Sequence, residues 1–173
     1  MSGLIWLLLA VGVLLVLWRV LLARSRAARA TPMQPDDPWL LAAISRARAS
    51  YPDMLALLAT GQELVVKFPL ANSEGELEHV WGGVERADEQ GVEVSIVTPL
   101  LVGETPQGPR RIARDEIEDW QAFLPDGGIR GGFTTQAQLA VCRREGFSIP
   151  TRLQEQTARF LDSIDFSSPE TSP

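Results

Sequence analysis

The chain has 173 residues, 22 of them acidic and 16 basic, for a formal charge of −6. Arg19, Arg24, Arg26 and Arg29 supply four positive charges to residues 1–30, which hold no acidic side chain; the remainder carries 12 positive against 22 negative, a net −10. Phosphate recognition needs a basic footprint, so nucleic acid is excluded as the main partner. One cysteine, Cys142, and one histidine, His79, cannot form an intramolecular disulfide or a Cys/His zinc site. No pattern implies another cofactor.

Residues 1–3 are a short leader. In residues 4–23 only Gly12 and Arg19 are not apolar. At ~1.5 Å per helical residue the run covers roughly 30 Å, the thickness of a bilayer's hydrocarbon core. Trp6 and Trp18 suit the two interfaces, and Arg19 is near enough to the end to reach the headgroups. A cleaved signal peptide would place its positive charge before the apolar run, whereas here Arg24, Arg26 and Arg29 follow it. The expectation is a single transmembrane helix contacting membrane lipid, with the following chain held on the cytoplasmic side.

Residues 24–37 read as a linker and residues 38–150 as one α+β domain. Asp37-Pro38 is a helix start, with Leu40, Ile44 and Ala47 on one face of that helix. Pro52 breaks or kinks it, Tyr51, Leu55 and Leu58 extend the stripe, and Gly61 closes it. The period then becomes two. Leu64, Val66 and Phe68 mark a strand; Asn72-Ser73-Glu74-Gly75 turns the chain. On the next strand Leu77, His79 and Trp81 share a face, and Gly82-Gly83 suggests a bulge. Val92, Val94 and Ile96 define a third strand of an antiparallel meander, and Arg111-Ile112-Ala113 a further short one. Asp115 and Glu118 resemble the cap of one helical turn carrying Ile117 and Trp120. Pro125-Asp126-Gly127-Gly128 is a turn; Thr134 or Thr135 caps a helix to about Arg144, with Thr135 and Gln138 fitting a capping box. A last helix is expected over 151–166, with Leu153, Phe160, Leu161 and Ile164 on one stripe, before a polar tail at 167–173. The fold class is a small antiparallel sheet flanked by helices, preceded by one N-terminal transmembrane helix.

Val66-Lys67-Phe68, Glu78-His79-Val80-Trp81, Pro99, Ile117-Glu118-Asp119-Trp120 and Gly131-Gly132-Phe133-Thr134-Thr135 stand in an order that resembles the YegJ-like bacterial proteins, a family without an assigned activity. The likeness covers roughly residues 39–147. It departs at Gly82-Gly83, where β-formers would be expected, and at Gln136, where the family tends to carry arginine. It implies one compact domain and brings no chemistry with it; the expected setting, from the apolar run and its arginines, is a bacterial inner membrane.

His79 is the one side chain whose ordinary titration falls near neutrality, and it can act as a general base where a carboxylate such as Asp119 orients it. Its neighbours Leu77 and Trp81 favour the opposite reading, a satisfied core histidine. Arg130, Gly131, Gly132 and Thr134 precede or open a helix whose backbone N–H groups can hold an anion, although neither nucleotide-binding glycine fingerprint is met. Trp81 and Trp120 suit either a recognition surface or the core, and Lys67 completes the candidate binding positions. Cys142 reads as a small buried residue. The leading expectation is a membrane-anchored binding or adaptor module with a protein or small-ligand partner. The alternative is a membrane-tethered, hydrolase-like enzyme using His79 with a carboxylate, and a third reading is a stress- or assembly-related structural protein with no small ligand. An enzyme requires His79 beside a carboxylate in a concave site, whereas a binding module leaves His79 buried or peripheral and an apolar patch exposed.

Overall fold

The computed structural model describes residues 34–149 and 151–166. The expected membrane span, most of the linker and the tail lie outside them. Among the described residues no helix is long and apolar enough to cross a membrane.

The described chain is an α+β unit around a six-stranded, wholly antiparallel sheet. Helix α1 (Pro38–Ala49) starts where the Asp-Pro pair requires, with the Asp37 carboxylate accepting from the Trp39 N–H at 2.9 Å. Helix α2 (Tyr51–Ala59) follows after Ser50; Pro52 sits in its first turn, where a missing N–H costs nothing. Strands β1 (Glu63–Ala71), β2 (Leu77–Asp88), β3 (Gly91–Ile96) and β4 (Arg110–Ala113) form the meander. A short 3-10 turn, Arg114–Glu116, leads to β5 (Asp119–Phe123), which returns to the free side of β1 and pairs onward with β6 (Ile129–Gly131). Helix α3 (Phe133–Arg144) and the short α4 (Thr151–Thr157) complete the elements. The sheet order is β4-β3-β2-β1-β5-β6.

One face of the sheet is closed. Leu64, Val66 and Phe68 of β1, Val80 of β2, Val92 and Val94 of β3, and Trp120 and Ala122 of β5 are buried together with Ala43, Ala47, Tyr51, Met54, Phe133 and Ala137 from the first three helices. The small residues of α1 allow close approach: the Trp120 indole N–H reaches the Ala47 carbonyl at 3.2 Å and the Ser50 hydroxyl at 3.0 Å. The Phe133 ring meets Trp120 edge-on at 5.9 Å. Gly82 belongs to this layer. A Cβ there would lie 2.9 Å from Val94 Cβ and 3.1 Å from the Phe68 ring, so its lack of side chain makes the packing possible.

Several expectations are corrected. β2 runs unbroken through Gly82-Gly83, and its register shifts between Val84 and Arg86 instead. Trp120 lies on a strand and not on a helical turn, because pairing with Val66 buries its side chain completely. Neither threonine caps α3, whose N-cap is Gly132 in the left-handed conformation. The last helix stops at Thr157. Beyond it the chain lies along β6, where the Ile129 N–H donates to the Arg159 carbonyl at 2.8 Å and the Leu161 N–H to the Ile129 carbonyl at 2.9 Å.

Candidate functional site

The other face of the sheet is closed at β5, where the buried Gln121 bonds Thr135 of α3 and Gln156 of α4, and open over β2 and β3; β2 decides what the open part displays. Val80 and Gly82 point inward, so alternation sends Leu77, His79 and Trp81 outward. The buried-histidine expectation is therefore overturned: the His79 side chain is 49% exposed and Leu77 is 64% exposed. Register builds a row across this face. The Val97 N–H donates to the Trp81 carbonyl at 2.9 Å, Trp81 pairs with Lys67, and Lys67 pairs with Asp119. His79 pairs with Pro69 in the next row, and Gly83 leaves a gap beside Val65. Val97 is 58% exposed, and next to it lies an open groove lined by Ile96, Pro99, Glu104, Thr105 and Gln107. Leu101, 72% exposed, stands at the start of β2 outside this row, because the Glu78 carboxylate, on the Val80 side of the strand, accepts the N–H groups of Leu101 and Val102. Those backbone bonds, Leu101's foremost, hold Glu78 below the usual carboxylate range.

His79 does have a carboxylate partner, but it is Glu118 and not Asp119. Nδ1 lies 2.6 Å from Glu118 Oε2, with the glutamate side chain only 13% exposed. A carboxylate can only accept, so Nδ1 carries the hydrogen and Nε2 is left as the acceptor of the neutral ring. Glu118 is steadied by its own backbone, whose N–H donates to the Lys67 carbonyl at 2.8 Å. This pair can orient a proton acceptor. It does not line the groove beside Val97.

Asp119 works inside the fold. It is fully buried, and its Oδ1 accepts the N–H groups of Trp120 (2.8 Å) and Phe133 (3.0 Å). Its Oδ2 accepts the N–H (2.8 Å) and hydroxyl (2.7 Å) of Thr134. Burial raises its pKa to about 6, against the lowering effect of the Thr134 and Trp120 bonds and of the Lys67 charge. The anion expected at the start of α3 is thus supplied by the chain's own carboxylate. Lys67 Nζ stands 3.5 Å from the Thr134 hydroxyl, on the open side of this arrangement. Arg130 is also engaged, since its Nε donates to Asp162 at 2.7 Å and the Gly131 N–H donates to the same oxygen at 2.8 Å.

Of the residues singled out in the sequence, the structure gathers His79, Trp81 and Lys67 on the open face and puts Trp120 in the core. Asp119 and Thr134 are joined at the start of α3, and Arg130, Gly131 and Gly132 lie along the β6 edge. Cys142 is buried in α3. Sequence reasoning missed Glu118 as the histidine's partner. The one available signal was its place just before β5, which was masked by its resemblance to a cap.

The architecture defines an α+β domain with one closed sheet face and another left open over β2 and β3. Comparison of the chain with protein-family models, with curated proteins and with solved structures returned no match.

Proposed function

We propose that this chain is a membrane-anchored binding module whose open sheet face receives a protein partner at the cytoplasmic side of a bacterial inner membrane. The reading is supported by the apolar run at 4–23 with arginines after it, and by the resemblance to the YegJ-like proteins. The observation that carries it is the exposure of Leu77 and Val97 on either side of Trp81, on the part of the sheet face over β2 and β3 that no helix covers. Apolar side chains grouped beside polar ones are how interaction surfaces present themselves. His79 stands within this patch, between Leu77 and Trp81, its ring tied to Glu118 and not lining the groove beside Val97, which ranks catalysis second.

The test is photo-crosslinking in cells from the full-length protein. A crosslinking side chain at Leu77 or Val97 should give one discrete adduct, whereas the same group at Leu41, exposed on α1, should not. Adducts of equal strength from all three positions would refute a dedicated face. Protease added to intact spheroplasts should spare a tag placed after Pro173; its digestion would refute the topology.

A further inference from the structure

At the opposite sheet edge the chain turns at 158–159, and residues 160–166 then run along β6 and α3. Not one side chain of this stretch is buried, yet what it covers is: Ile129, Gly131, Gly132 and Phe133. Its exposure alternates, with Phe160, Asp162, Ile164 and Phe166 turned inward and Leu161, Ser163 and Asp165 outward. Each inward residue has a receiver. Phe160 lies over Gly132, where a Cβ would come within 2.2 Å of its ring. Asp162 takes the Arg130 Nε and the Gly131 N–H, and its own carbonyl accepts from Gln136 Nε2 at 2.7 Å. Ile164 and Phe166 pack against the core cluster, and the Phe166 ring sits 5.7 Å from Trp39. Among the described residues, main-chain to main-chain bonds between the segment and β6 are the two at Ile129. This is the anatomy of strand addition, in which main-chain bonds hold an extended segment and alternate side chains enter receiving positions.

We infer that the β6 edge is a peptide-binding site occupied in cis by the chain's own segment, and that its ligand in trans is an extended peptide of the alternating pattern aromatic, acidic, aliphatic, aromatic. Arg130 recognises the acidic position and Gly132 the first aromatic one. The cis segment is the resting occupant and limits access to the edge. This site is separate from the open face and does not depend on the function proposed for it.

The test uses the full chain in detergent micelles and a fluorescein-labelled peptide with the sequence of residues 157–166. A Phe160→Ser/Asp162→Asn variant, whose own segment is weakened, should bind the peptide at least about tenfold more tightly than the unaltered chain, since a tethered competitor is removed. Arg130→Glu introduced into that variant should abolish binding, and a peptide with its aromatic and acidic positions replaced should not bind. A folded double variant that gains no affinity, or that binds both peptides alike, overturns the proposal. Should the double variant fail to fold, hydrogen exchange on the unaltered chain decides. Ile129 and Leu161 amides exchanging at least tenfold faster than those of Val66 and Trp120 support a displaceable segment, and equal rates overturn it.

Discussion

Asp119 holds Thr134 twice, through its N–H at 2.8 Å and its hydroxyl at 2.7 Å, and so fastens the start of α3 to the first residue of β5. With the Trp120 and Phe133 amides, the carboxylate takes four donors in a site closed to water. Asp119→Asn keeps one acceptor but turns an amide toward the Thr134 N–H. The expected loss is about 1–3 kcal/mol, the usual cost of an unsatisfied buried polar group, read by urea unfolding near pH 5.

The same residue sets a pH dependence. Its folded pKa, about 6, lies above the ordinary 3.8. The protonated form is therefore favoured by folding, and the stability it contributes is complete below 3.8 and is lost as pH rises through 6. The span corresponds to about 3 kcal/mol at most. Unfolding midpoints of the unaltered protein should fall, relative to those of Asp119→Asn, as pH rises from 3.8 through about 6, and level off above that. Parallel curves for the two proteins would disprove the assignment.

His79→Ala and Glu118→Gln should leave stability within about 1 kcal/mol, because the histidine is half in water and exposed pairs contribute little. Leu77→Asp should be equally mild for folding. If the open face is the binding surface, Leu77→Asp should nonetheless reduce the adduct formed from position 97 several-fold, while thermal midpoints stay level.

Gly82→Ala is the contrasting case. The new methyl would meet Val94 Cβ, an atom fixed to its backbone, at 2.9 Å, with the Phe68 ring close behind. Overpacking of this kind costs about 1–3 kcal/mol, measurable as a lower urea midpoint with an unchanged slope. Gly83→Ala, on the open face with its nearest neighbour at 3.6 Å, should be tolerated.

How much of this was legible in the sequence follows from the range of the interactions. The Asp37-Pro38 start, the alternation of Leu64, Val66 and Phe68, and the Asn72–Gly75 turn are local devices, and they read correctly. The inward face of β2 did not. Leu77-His79-Trp81 and Val80-Gly82-Val84 both alternate, and only pairing with Phe68 and Val66 selects the second set. β5 was hidden because Asp119, Gln121 and Ala122 are poor strand formers, and Trp120 reaches its place through contacts with Ala47 and Ser50 some 70 positions away. The cap of α3 comes from Asp119, fifteen positions before Thr134, outside any capping window. Past Thr157 two periodicities coexist, a helical stripe and an alternating one, and docking on Ile129 chooses the latter.

The sheet's far edge has a consequence for the company this domain can keep. β4 is four residues long, opens with Arg110 and Arg111, and is preceded by Pro109. A short margin bearing two cations and a ring without an N–H makes a poor template for another strand. With Arg111 already paired to Asp88, what a neighbouring copy meets on that flank is a short, proline-headed margin with few free backbone groups to extend into a continuous ribbon.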